Sequence, residues 1–562
     1  MINLFIEIFI IHFFLIPIGV FFSSKKENRF ITYSTQLIYG IILISFMALL
    51  LNFFTPLSQI INTLTIIALL LMIYKKWKFF FNKEFVLFNL ISTFIICFLI
   101  AESNVNRPDA GLYHLPYINI INEEKIMFGL SNLHFRYAHA SIIQHTSAIL
   151  NNLLLGTNGI ILPTALLVSA ILINFISRIL NHLKHKNYNL ELFFLIFVQI
   201  YFFYKMNRYS EYGNDAPAHL LFFYLISIIL KDKLYSTKEM LNLTIISLFV
   251  VLNKIILLFS FFIVLIHLTK KHFLNFFRYK RFYFLVLFFL IWLVKNITIS
   301  GCLIFPITKL CSESFLWSNK NISKSVAIEN EAWAKGWPDY TNSKNSSKND
   351  KLTMKDYSKN FNWVKTWYLG HFSFIISVIL PYLLIIVIFF ISIFKFNREQ
   401  NTNYLLHNNK KFYFLFFILL IANIFWIMKI PVYRYGYSYL ISIIALVFSY
   451  TGLRLFLVKK KFKIKILIIF CIGFMVLFLK NTLRIVENEN NYNNYPWPKY
   501  YSLSKQNRFP KLEMFNISNK LFYRPIDGYY CMYYKSPCIN YGNYLDAKII
   551  NKYGYLFIYL DK

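Results

Sequence analysis

Long stretches of this chain hold almost nothing but apolar residues and are broken at intervals by short polar or charged turns. Fourteen such stretches can be marked, at about 2–22, 31–53, 57–74, 85–102, 160–178, 189–206, 217–230, 239–252, 255–268, 282–299, 373–394, 412–430, 437–457 and 464–480. A helix needs about 20 apolar residues to cross the hydrocarbon of a bilayer. Backbone groups in lipid must pair internally, so each stretch is predicted to be helical. A transmembrane β-barrel would need apolar and polar residues in alternation, and runs such as 383–393 do not alternate. The predicted fold class is therefore all-α, a polytopic transmembrane bundle of about 12–14 helices. The stretches at 217–230, 239–252 and 255–268 are short, which predicts tilted, broken or re-entrant segments.

Composition agrees with this reading. Only 15% of the 562 residues are charged against 57% hydrophobic, where a soluble domain has about a quarter charged. The formal net charge of +34 does not mark a nucleic-acid binder, because no basic soluble domain carries it. The cations fall in clusters on alternate connections: Lys25/Lys26/Arg29, Lys75/Lys76/Lys78/Lys83, and the runs 178–186, 231–238, 270–281, 395–411 and 459–465. Cytoplasmic loops of membrane proteins are enriched in Lys and Arg. One topology then satisfies every cluster. Loops 103–159, 207–216, 300–372 and 431–436, the tail 481–562 and both termini face outward. The first stretch lacks a basic leader region and a clear small-residue cleavage site, so it is read as an uncleaved helix rather than a signal peptide. The organisation that follows is N-terminal helices over 1–84, a main helical core over 85–480, and an outward tail or small domain over 481–562. The run YGYLFIYL near the end of that tail is strand-like.

Cysteines support the same sidedness. Cys97 and Cys471 lie inside apolar stretches, whereas Cys302 and Cys311 share one outward loop and Cys531 and Cys538 share the tail. Close pairs on an oxidising side suggest two local disulfides; four unrelated thiols are the plainer alternative.

Chemistry is expected where polar residues gather despite the membrane's cost. The stretch 101–144 carries Glu102, Arg107, Asp109, His114, Glu123, Glu124, His134, Arg136 and His139 directly after a helix. Pro108 breaks any preceding helix, so Asp109 has two readings, a helix cap or a carboxylate held at the membrane surface as a general base. The turn RYSEYGNDAPAH, 208–219, adds Glu211, Asp215 and His219; Asp215 suits the positive end of the following helix dipole, or a second acid at the same site. In PVYRYGYSY, 431–439, Arg434 is an isolated cation. It reads either as a snorkelling interfacial arginine or as a phosphate-binding fork. Trp317, Trp333 and Trp337 in the loop 300–372 suit sugar stacking or the bilayer surface equally. Lys254, alone in an apolar run, is most simply the turn of a short hairpin, although an intramembrane lysine is also a functional candidate. Walker A, GxGxxG, HExxH and GxSxG motifs are absent from the sequence.

These features together resemble the GT-C superfamily of membrane glycosyltransferases, in its protein O-mannosyltransferase and lipopolysaccharide-core branch, over roughly residues 85–450. Asp109 in NRPDAGLYH matches the acid that the family places in its first large outward loop, and Asp215 in YGNDAPAH matches a second, later acid. In IWLVKNITISGCLIFPI, residues Trp292, Asn296, Gly301, Phe305 and Pro306 are similar to a family pattern at a helix exit, with Lys295 where arginine is common. Arg434–Tyr435 resembles an Arg–Tyr pair near the start of a late helix. Three helices precede the one that leads into the acidic loop, and that loop has one clear Asp rather than a pair, which departs from the simplest family pattern and leaves any divalent metal open.

The resemblance implies a GT-C-like core over 85–480, a polyprenyl-phosphate-linked sugar donor, a glycan or lipid acceptor of the cell envelope, and an outward catalytic face on a bacterial inner membrane. It implies Asp109 as base, Asp215, Glu211 and His114 as its helpers, and Arg434 with Tyr435, Lys295 and Arg136 at the phosphate. An O-antigen-type polymerase or ligase, which would lean on outward arginines, and a transporter or flippase are the alternatives. The chain lacks the internal repeats common in transporters.

Overall fold

The apolar stretches do form helices, but of two lengths. In the computed structural model, which describes residues 2–22, 28–73, 82–102, 108–139, 141–205, 212–342, 352–396, 402–458, 461–487, 510–526, 530–540 and 546–560, eight helices are long and apolar enough to cross a membrane. They are Arg29–Asn52, Lys83–Ala101, Gly156–Lys184, Lys280–Ser300, Val364–Ile393, Lys410–Lys429, Tyr433–Arg454 and Phe462–Leu483. This is fewer than the fourteen expected. Asn3–Gly19, Gln59–Met72, Leu190–Tyr204 and Asp215–Ile229 are shorter apolar helices. At 1.5 Å per residue a helix of about 15 residues covers some 22 Å, short of a hydrocarbon layer about 30 Å thick. The stretch 255–268 is broken: Ile255–His267 meets Lys270–Phe276 at 110°, and counting that pair as one span would bring the number to nine.

The helices share a hydrophobic core that runs from Leu4 to Ile558, so segments 1–84, 85–480 and 481–562 contribute to one interior. Polar contacts pin the first helices to the core: the Asn174 amide donates to Ser34 Oγ at 2.9 Å, and Ser45 Oγ lies 2.5 Å from Thr146 Oγ1. The outside of the molecule is also apolar. Leu71, Phe94 and Ile388 are 70%, 69% and 68% exposed. Apolar surface this extensive is stable against lipid and prone to association in water.

The long connections between helices are folded. Residues 108–150 form a turn at Ala110–His114, then helices Leu115–Glu123 and Ile142–Leu150. The tail adds strands to a mostly helical chain. Leu512–Ile517 pairs with Lys520–Pro525, and Ala547–Lys552 pairs with Tyr555–Leu560, both antiparallel; the second hairpin contains the strand-like run. The cysteines are joined as Cys302–Cys311 and Cys531–Cys538.

The second disulfide loop sits on the acidic loop. Met532 N donates to Gly111 O at 3.1 Å, the Asn540 amide to Leu112 O at 3.1 Å, and the Tyr137 hydroxyl to Cys538 O at 2.8 Å. A Cβ on Gly111 would lie 2.5 Å from Met532 Sδ, so a glycine is what allows this approach. Closing a loop of this size contributes about 2–3 kcal/mol through chain entropy. Replacing both Cys531 and Cys538 by serine is therefore expected to loosen residues 108–123 locally, read as faster amide hydrogen exchange there. Unchanged exchange would mean that the tail does not brace the loop.

Candidate functional site

Three turns far apart in sequence meet at one place. Asp109 occupies the N-cap position of the Ala110–His114 turn yet makes no side-chain cap bond. Its carboxylate instead accepts from Arg434 Nη1 at 2.9 Å, across 325 residues of chain. Asp215 is the first residue of helix Asp215–Ile229, and its carboxylate pairs with Lys254. Asp215 is also near enough to Arg434 for its charge to act on the guanidinium.

Arg434 stands in the first turn of helix Tyr433–Leu455, and the surrounding bonds explain why it is held there. The Trp426 indole donates to Val432 O at 3.0 Å and the Trp367 indole to Pro431 O at 2.8 Å. His219, one turn beyond Asp215, donates from Nε2 to Arg434 O at 3.0 Å and bonds Ser438 Oγ at 2.7 Å through Nδ1. The helix comes so close to Trp426 that a Cβ on Gly436 would lie 2.2 Å from the indole. The guanidinium then donates from Nη2 to the Tyr435 hydroxyl at 2.8 Å. It lies 4.9 Å from the Tyr435 ring centre and 5.6 Å from that of Trp333 in helix Lys320–Ala334. Its Nε is buried with no hydrogen-bond partner among the described residues.

Asp109 and Arg434 keep 30% and 25% of their side chains exposed, whereas Asp215 and Lys254 keep 10% and 7%. The first pair is open to a ligand and the second is sealed beneath it. Burial pushes the Asp109 carboxyl up, but the charges beside it, Arg434 first, outweigh this and hold the group below the usual carboxylate range. Asp109 is thus an anion at neutral pH. Arg136 lies 5.1 Å from the Tyr113 ring centre, and His114 takes the Gln144 amide at 2.5 Å on Nδ1.

For Lys254 the sequence offers a hairpin turn or an intramembrane functional candidate, and the structure shows where it stands. It does end helix Thr237–Asn253, but its Nζ also reaches Asp215, approaches Arg434 O at 3.4 Å and sits 4.3 Å from the Tyr435 ring centre. The signal was legible as a lone cation in an apolar run. Lys295, expected at the phosphate, is only 1% exposed beside Trp292. Burial and the Lys295 charge both hold the His145 imidazole below its usual range. Lys295 is a buried cation rather than one presented to an open site, because the helix turns it inward. In the same pattern, the Asn296 amide donates to Leu303 O at 2.9 Å, and Gly301 caps the helix at φ +73°. Glu211 lies outside the described residues. Trp333 reaches the guanidinium, while Trp317 stacks on Phe315 and Trp337 lies tilted against Tyr340.

Among the described residues no three His, Cys, Asp or Glu side chains stand together as a metal would require. Asp109 and Asp215 each pair with a cationic side chain.

The model of a family described as a domain of unknown function, DUF8201, matches residues 1–441. That span contains Asp109, Asp215, Lys254 and Arg434. Comparison with curated proteins and with solved structures finds no match.

Proposed function

We propose that this chain, which belongs to the domain-of-unknown-function family DUF8201, is a multi-pass membrane glycosyltransferase. It moves a sugar from a polyprenyl-phosphate carrier to a glycan or lipid acceptor of the cell envelope. The observation that carries the reading is the partly exposed Asp109–Arg434 ion pair, a carboxylate suited to accept a proton in direct contact with a guanidinium suited to hold a phosphate. The helices form a bundle in a bacterial inner membrane, with the cationic clusters in the cytoplasm and this pair on the outward face. The apolar exterior supports the embedding, and the excess of Lys and Arg on alternate connections supports the orientation.

The acceptor hydroxyl attacks the anomeric carbon of the donor sugar. Its proton passes to Asp109 as the new C–O bond forms. The bond from the anomeric carbon to the phosphate oxygen breaks, and the lipid phosphate departs with its charge on Arg434. Trp333, beside the guanidinium, is placed to cover the sugar. Asp215 and Lys254 hold the turns in register and make no contact with substrate in this scheme.

The test is release of polyprenyl phosphate by the full chain in lipid nanodiscs, given polyprenyl-phosphate sugars and an envelope glycan extract. Wild type is expected to release it, and Arg434→Gln to do so about 10²–10³-fold more slowly, the cost of losing one charge-stabilising donor. Release that is indifferent to Arg434→Gln across the donor panel would sink the reading.

A further inference from the structure

The side chain of Gln144 touches two groups whose chemistry leaves it one orientation. One end lies 2.7 Å from the backbone nitrogen of Ser141, the back-reaching half of a capping box on helix Ile142–Leu150. A backbone N–H only donates, so that end must be the amide oxygen. The other end is then the NH₂ group, which lies 2.5 Å from His114 Nδ1. An NH₂ group only donates, so Nδ1 must accept, and the proton of the neutral imidazole is placed on Nε2. The helix start is fixed independently, because Ile143 N donates to Asn253 Oδ1 at 3.0 Å next to Lys254.

We infer that Gln144 is a positioning residue that sets the tautomer of His114, so that His114 serves the site as an N–H donor through Nε2 while Asp109 takes the acceptor's proton. The inference rests on the glycosyl-transfer reading only for the step that His114 assists; the tautomer follows from the bonds alone. His114 closes the same short turn that Asp109 opens, and the Arg136 charge acts on the Asp109 carboxyl from the same loop. The two titratable groups thereby have separate tasks. The carboxylate accepts a proton, and the imidazole donates a hydrogen bond to an oxygen of the donor or acceptor without giving up its own proton. A histidine free to change tautomer would compete with Asp109 as a base.

Gln144→Glu separates the structural task from the chemical one. Glutamate still accepts from Ser141 N, and Ser-x-x-Glu is itself a favoured capping box. Its carboxylate cannot donate to Nδ1 and instead draws the proton there. The experiment is ¹⁵N NMR of the full chain in nanodiscs with labelled histidine at neutral pH, the His114 signals being assigned by their loss in His114→Asn. In wild type, Nδ1 is expected to be unprotonated and Nε2 protonated; in Gln144→Glu the Nδ1 signal moves to the protonated position. Turnover in the same variant is expected to fall about 10²-fold in kcat with little change in KM for the donor. A wild-type His114 protonated on Nδ1, or a folded Gln144→Glu whose Nδ1 stays unprotonated, overturns the inference. The wild-type spectrum decides even if the variant does not fold. If the tautomer is as stated but no sugar is transferred from any lipid donor, the functional reading fails and the assignment of Gln144 stands.

Discussion

Asp109→Asn should lower glycosyl transfer by about 10²–10⁴-fold, the usual share of a positioned general base, while leaving the protein folded. The two halves of this expectation come from different observations. The activity half follows from Asp109 being an anion at neutral pH, held below the usual carboxylate range by the charges beside it, Arg434 first, against the opposing effect of burial. An amide of the same shape cannot accept the acceptor's proton. Because the carboxyl titrates low, protonation of Asp109 should not limit the rate until the pH falls below the ordinary carboxylate range. The stability half follows from exposure. With 30% and 25% of the two side chains in contact with solvent, the ion pair contributes little, on the order of 1 kcal/mol or less. Assay of Asp109→Asn beside Arg434→Gln also divides the functional alternatives. A polymerase or ligase that relies on outward arginines would lose activity with Arg434→Gln and keep it with Asp109→Asn. Full transfer by Asp109→Asn would show that Asp109 is not the base.

Lys254→Met should destabilise the protein by about 3–5 kcal/mol, because it strips the partner from a buried carboxylate. Asp215 and Lys254 are 10% and 7% exposed, so neither can recover its hydration when the other is removed. The double variant Asp215→Leu/Lys254→Met should regain most of the loss, since apolar groups of similar volume often replace a buried pair at no net cost. It should not regain full turnover, because Lys254 also touches Arg434 O and the Tyr435 ring. Thermal unfolding of the three variants in one detergent is the measurement. If Lys254→Met unfolds at the wild-type temperature, the pair does not hold the two turns together and the sealed layer beneath Arg434 has another support.

The contrast between the two pairs marks what each type of observation reveals. Asp109, Asp215 and Arg434 stood out in the sequence because each is a charge beside a proline or a tyrosine cluster at the end of an apolar run. Lys254 carries the same kind of signal but reads most simply as a turn, with an intramembrane functional residue as the second reading, since nothing local says that its ammonium reaches back 39 residues to Asp215. Gln144 carried no signal, because an amide in a helix's first turn is ordinary until its other end is seen on a histidine 30 residues earlier. Lys295 erred in the opposite direction. It occupies a place where the resembled family often has arginine, yet its helix turns it inward beside Trp292.

The sequence by itself determined the helical class, the apolar exterior, the cysteine pairs, the strand at the end of the tail and the three turns that carry charge. Those properties depend on local composition and on backbone groups that must pair within a segment in lipid, so they can be read along the chain. The tertiary structure decided which stretches are long enough to span, where the short stretch 255–268 breaks, that the tail braces the acidic loop, and which acid meets which cation. Those outcomes depend on contacts between residues tens to hundreds of positions apart. At such separations, close packing and the cost of an unpaired buried charge choose among arrangements that local sequence leaves equal.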